Sequence, residues 1–264
     1  MSWCVMQTEL DPPTAEQLKT VFAQVPELTA LDAAGMGRDS FGVLARGFEQ
    51  AQAEAMQSAL AEQGVASEVV PESSLAELPP PQKLSRVEFT PEALQVDNLV
   101  GRVVAVPWTE ILLIAAGRIR LTEFVTELKD KIVRVAGRVA RGGGSGGGSL
   151  EVRMEAVTRE QQNEHLVLEV ITRGPTQRFN TVADNPETAL LFQCLGEQRT
   201  RIPAANLCLL VQELSKYAPE AILNHGAFFM RENNDAAFFY PSKGAFYREI
   251  TWLLWMVATG RARR

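Results

Sequence analysis

The sequence predicts an α+β protein in two parts. A ferredoxin-like (βαββαβ) unit covers residues 1–77, and an antiparallel β-sheet or small barrel packed with C-terminal helices covers 84–264. Three observations carry this. Before residue 77, short alternating runs interleave with two amphipathic helical patterns. The run Leu78-Pro79-Pro80-Pro81-Gln82 makes a semi-rigid, extended spacer over 78–83. Beyond it, valine-rich short strands come first and the clearest helical patterns come last.

The elements follow in order. Trp3–Leu10 alternates as a strand and is broken by Asp11-Pro12-Pro13. Thr14 and Gln17 then form a capping box, and Leu18, Val21, Phe22 and Val25 fall on one helical face up to Pro26. Leu28–Asp32 is a second strand, Gly35, Gly37 and Asp39 mark a turn, and Phe41–Arg46 is a third strand. Glu49–Gln63 is a helix with Ala51, Ala55, Met56, Ala59 and Leu60 on one face, stopped by Gly64. Ala66–Val70 closes the unit.

After the spacer, Ser85–Phe89, Leu94–Val96, Arg102–Val106 and Trp108–Ala115 read as strands, the last ended by Gly117. Arg118–Arg141 reads as a basic amphipathic helix, with a strand over Lys131–Arg138 as the alternative. Leu150–Val157 and His165–Thr172 read as a hairpin joined by Arg159–Glu164, followed by a strand at Gln177–Val182. Asp184–Leu191 is a helical turn, and Pro203 opens a helix over Ala204–Lys216. Ala227–Arg231 and Ala236–Tyr240 read as a second hairpin. Ala245–Thr259 is a helix apolar nearly all round, so it is covered either by the rest of the chain or by a partner. A sheet closed by such a helix resembles, in element order, a pleckstrin-homology-like (PH-like) arrangement.

One stretch bounds these readings. Gly142–Ser149, GGGSGGGS, is two repeats of a flexible Gly/Ser cassette and reads as an engineered splice replacing a native loop or insertion. A phosphate-cradling glycine loop would need Lys-Ser/Thr and a helix start next; Leu150-Glu151-Val152 supplies neither.

Charge and cysteine content narrow the function classes. Residues 1–80 carry 3 basic and 12 acidic side chains, a poor balance for binding nucleic acid. Arg102–Arg141 is the most basic segment, with 8 basic and 4 acidic residues. The 3 cysteines lack metal-ligand or CxxC spacing, which suggests reduced thiols in a cytoplasmic setting. No apolar run has the length of a membrane span, and the N-terminal residues lack a secretory pattern.

No pattern of catalytic residues stands out. The 2 histidines, His165 and His225, lack a second ligand at metal spacing, so neither a metal nor a cofactor is expected. Serines lack a G-x-S-x-G elbow, and Cys194 and Cys208 lie in apolar runs typical of inert thiols. Arg199 and Arg201, ahead of the Pro203 helix, and His225 are the anion-binding candidates. Lys131, Arg134, Arg138, Phe229, Phe239, Trp252 and Trp255 are the interaction candidates.

The expected function is that of a non-catalytic two-domain binding or adaptor protein making protein–protein contacts, self-association included. One alternative is a small-molecule sensor or enzyme with an interdomain site, for which a polar pocket would have to join His225, Lys216, Tyr217 and Arg201. The other is a peripheral module that binds anionic membranes through 118–141.

Overall fold

The computed structural model describes residues 1–10, 13–25, 28, 41–97, 103–135, 149–174, 177–182, 186–234 and 238–262. The fold is mixed α+β with several antiparallel pairings. At the N-terminus, β1 (Trp3–Gln7) runs antiparallel to both β2 (Val43–Phe48) and β3 (Ser67–Pro71), in the order β2-β1-β3. Helix α1 (Ala15–Gln24) starts at the expected capping box. Thr14 Oγ1 accepts from the Gln17 N–H at 3.2 Å, and Gln17 Oε1 accepts from the Thr14 N–H at 2.8 Å.

Helix α2 (Gln50–Glu62) buries Ala53, Met56, Ala59 and Leu60. Ala51 is exposed, a correction to the expected face, because the row that meets the sheet runs through Ala53. Gly64, at φ 74°, ends the helix region in a left-handed conformation that suits glycine. One core joins Val5, Leu44 and Ala45 of the strands to Val21 and Phe22 of α1 and Met56 and Leu60 of α2. The strand expected over Leu28–Asp32, Leu28 apart, and the turn at Gly35–Asp39 lie outside the described residues.

The spacer ends in β4 (Gln82–Lys83). Next comes an antiparallel meander of β5 (Arg86–Phe89), β6 (Ala93–Asp97) and β7 (Val103–Pro107). A second sheet contains β8 (Ile111–Val135), β9 (Ser149–Thr172), β10 (Arg178–Val182) and the two-residue β11 (Ile222–Leu223), in the order β11-β8-β9-β10-β4. β9 and β10 pair antiparallel, whereas the short edges β4 and β11 pair parallel with β10 and β8.

Three sequence expectations are corrected here. Gly117 does not end a strand, because β8 continues through it. A Cβ there would lie 2.5 Å from the Tyr240 ring, so glycine admits that ring rather than breaking the strand. The basic helix expected from Arg118 is also β8 as far as Val135. Thr122, Val125, Thr126, Ile132 and Val133 suit a pleated backbone, and pairing with β9 overrides the helical periodicity. The turn expected at Arg159–Glu164 is the middle of a continuous β9; that run contains neither glycine nor proline to impose a reversal.

Helix α3 (Pro203–Tyr217) buries Leu207, Leu210, Val211 and Leu214, with proline in its first turn. The strand expected at Ala227–Arg231 is instead helix α4 (His225–Arg231), because Asn224 Oδ1 caps it by accepting from the Ala227 N–H at 2.9 Å. Of its expected partner strand, Ala236 and Ala237 lie outside the described residues, and the rest is no strand: Tyr240 makes only an isolated bridge to Ile119. Helix α5 (Lys243–Ala258) begins at Ser242, whose hydroxyl accepts from the Ala245 N–H at 3.0 Å. Its apolar circumference is covered by this chain: Phe246, Ile250, Trp252, Leu254, Trp255 and Met256 are all buried.

By contacts the chain divides into two compact units, one of residues 1–120 with 164–264 and one of 121–163. Residues 142–148 of the Gly/Ser cassette lie outside the described residues, and Ser149 opens β9. No described helix is long and apolar enough to cross a membrane.

Candidate functional site

The most organised polar cluster of the larger unit centres on Glu249, in the middle of α5. Its side chain is 1% exposed, yet it has a donor at each oxygen. Oε1 accepts from the His225 backbone N–H at 2.8 Å and lies 2.7 Å from His225 Nδ1. Oε2 accepts from the Tyr240 hydroxyl. An unpaired carboxylate at this depth would cost several kcal/mol, so these donors are what keep it there.

The direction of every bond in the cluster follows from its far end. Asn224 Oδ1 accepts from the backbone N–H groups of Ala116 and Ala227, both at 2.9 Å, which turns its amide nitrogen toward Tyr240. That nitrogen donates to the Tyr240 oxygen at 2.7 Å, and the Gly226 N–H donates to the same oxygen at 3.2 Å. Receiving two donors, the hydroxyl gives its own proton to Glu249. Burial, then the adjacent Glu249 charge, hold the Tyr240 hydroxyl well above its ordinary range, so it stays a donor.

Glu249, accepting on both oxygens, takes the hydrogen of His225 Nδ1. This assigns the imidazole tautomer from the network and leaves Nε2 with a lone pair. The His225 side chain is 35% exposed. Phe41 meets it edge-on at 4.7 Å, and Phe238 stacks on it at 5.8 Å. Among the described residues, Nε2 has no hydrogen-bond partner.

A second buried carboxylate, Glu169 of β9, receives Arg178 in a bidentate pair at 2.6 and 2.9 Å and the Tyr247 hydroxyl at 2.8 Å. Burial, then the Glu169 charge, push Tyr247 up to about 12. Desolvation likewise pushes the Cys194 thiol up to about 11, which keeps it protonated and unreactive at neutral pH.

Elsewhere on this unit, an open groove of about 680 Å³ runs between Thr8–Leu10, Pro219–Leu223, α4 and the end of α5. Leu10 and Phe228 stand in it at 63% and 45% exposure, above the buried Leu253 and Met256. Glu9, Glu220, Arg231 and Arg261 bring both signs of charge to it. Arg231 lies 5.0 Å over the Phe228 ring, and Arg261 4.8 Å over Trp255.

The structure separates the residues the sequence grouped. Arg199 and Arg201 are exposed on the turn before α3, while His225 engages Glu249. Lys216 pairs with Glu213 at 2.5 Å, and Tyr217 stacks on Trp108 at 4.8 Å, so these two residues of the sensor alternative make contacts away from His225. Lys131 and Arg134 fall in β8, and Arg138 lies outside the described residues. Phe229 is half-buried and stacks on Phe238 at 5.7 Å. Phe239 is half-buried and carries Arg118 at 4.6 Å and Arg120 at 3.9 Å. Trp252 and Trp255 are buried at 0% and 5% within this chain.

Sequence reasoning flagged His225 but missed Glu249, Tyr240 and Asn224. Glu249 alone carried a signal, as a lone acidic residue amid the apolar run from Phe246 to Val257. Among the described residues, no cluster of three His, Cys, Asp or Glu side chains is arranged to hold a metal ion. No family model, no curated protein and no solved structure matches the chain.

Proposed function

We propose that the protein is a binding or adaptor protein that takes an apolar segment of a partner protein in the groove between the end of β1, β11, α4 and α5. The observation that carries this reading is the pair of large apolar side chains left exposed together in the groove, Leu10 and Phe228. Exposed apolar surface rimmed by charge is typical of protein contact sites. A volume of about 680 Å³ suits one or two bulky anchors of such a segment.

Two finer readings of the fold belong with it. A ferredoxin-like unit over 1–77 is supported by the order β2-β1-β3, the order in which that arrangement sets its third, first and fourth strands. A PH-like unit over 84–264 is supported by the β5–β7 meander, the β8–β10 strands and the closing helix α5. Separate cores for 5–65 and 84–230 support the division between them. The membrane alternative loses the basic helix on which it rested, since 118–135 is strand.

The test is site-specific photo-crosslinking in cells with benzoylphenylalanine at position 228. A discrete adduct to one partner protein, lost when Leu10 is changed to Ser, supports the reading. Adducts no different from those at exposed Gln198 would sink it.

A further inference from the structure

We propose that His225 is a nucleophilic imidazole that takes an acyl group from an activated carboxylic ester. The inference stands apart from the binding groove, because none of His225, Glu249, Tyr240 or Asn224 lines it.

Glu249 is fully buried, but the imidazole it grips is 35% exposed, so a buried charge is directed at a group that meets solvent. A carboxylate accepting from Nδ1–H fixes the ring and its tautomer, and leaves the lone pair on the opposite nitrogen. The carboxylate is itself fixed by Tyr240, and Tyr240 by Asn224 and Gly226, so the orientation is set four residues deep. Phe41 and Phe238 flank the ring and offer apolar surface to the organic part of an ester. A purely structural link between α4 and α5 would be made by the His225 backbone N–H donating to Glu249. It would not require an ionisable ring at the surface.

The step balances without an added oxidant or metal. The Nε2 lone pair attacks the ester carbonyl carbon, a C–N bond forms, and the C–O bond breaks as the alkoxide or phenoxide departs with its electron pair. The positive charge on the acylated ring is carried at Nδ1–H against Glu249. Water then hydrolyses the acyl-imidazole: its hydroxyl goes to the acyl carbon to give the carboxylic acid, and its other proton passes to the departed alkoxide or phenoxide or to solvent, which restores the neutral ring.

The experiment uses the full chain and p-nitrophenyl acetate as the acyl donor, following nitrophenolate release and locating the acetyl group by peptide mass. Release is expected to exceed that of free N-acetylhistidine by about tenfold or more, with the acetyl group on His225. H225Q should abolish the excess, H165Q should retain it, and E249Q should reduce it by about tenfold. Nitrogen-15 NMR of the wild-type rings, which needs no variant to fold, should show His225 protonated at Nδ1. The proposal fails if H225Q releases nitrophenolate like wild type. It fails equally if wild type is no faster than N-acetylhistidine, or if the ring is the Nε2-protonated tautomer.

Discussion

The indole nitrogen of Trp252, in the last helix, donates to the backbone carbonyl of Gln7, in the first strand, at 2.7 Å. The two are 245 positions apart in sequence, and both are almost wholly buried. Around this bond, Phe41 meets the indole edge-on at 5.3 Å, and a Cβ on Gly42 would lie 2.4 Å from Trp252 Cγ. Gly42 is also at φ 69°, a conformation that a side chain resists. Trp252→Ala is therefore expected to destabilise the protein by about 3–5 kcal/mol through cavity formation and the lost indole hydrogen bond. Gly42→Ala, at a far smaller change in volume, should cost about 2 kcal/mol or more from the clash and the backbone conformation together. Urea unfolding of both variants checks this; a neutral Gly42→Ala would contradict the packing described.

Asn224 supports three buried groups at once: the Ala116 and Ala227 amides and the Tyr240 hydroxyl. Replacing it with leucine keeps similar bulk but leaves both amides without an acceptor. A loss of about 3 kcal/mol is expected, from the unsatisfied donors and the lost helix cap. Hydrogen exchange should show the Ala116 and Ala227 amides losing protection ahead of the rest of their elements.

The Tyr247–Glu169 contact gives a stability change at alkaline pH with a definite sign. Tyr247 ionises near 10 when free and is pushed up to about 12 when folded, so above pH 10 the unfolded state releases a proton that the native state retains. Its contribution is complete below pH 10 and is lost as the pH rises toward 12. Tyr247→Phe, which has no such proton, should lose less stability across that window. Equilibrium denaturation at several pH values between 10 and 12 would reveal a slope unchanged in the variant if the contact is unimportant.

Local chemistry made α1, α2, α3 and α5 readable from sequence. The Thr14–Gln17 capping box, Pro203 and the apolar face of α3 each act within a few residues of the chain, and each appears where it was expected. The misread strands are those decided by distant partners, whereas α4 was missed although its Asn224 cap is local. Arg118–Val135 has a helical pattern in isolation but is a strand because β9 pairs with it. Arg159–Glu164 is polar enough for a turn, yet it is carried through as strand. The candidate site shows the same division. His225 was noticeable because histidine is rare here, whereas Glu249, Tyr240 and Asn224 meet only after β8, α4 and α5 come together.

The Trp252–Gln7 bond also has a consequence for synthesis. As the chain leaves the ribosome, β1–β3, α1 and α2 emerge well before Trp252, the residue that packs against Gly42. The interval from Pro71 to Trp252 spans about two thirds of the chain. Native closure depends on contacts of very high sequence separation, which form slowly and leave apolar surface open meanwhile. Nascent chains stalled before residue 252 should therefore depend on chaperones in a way that those released beyond it do not.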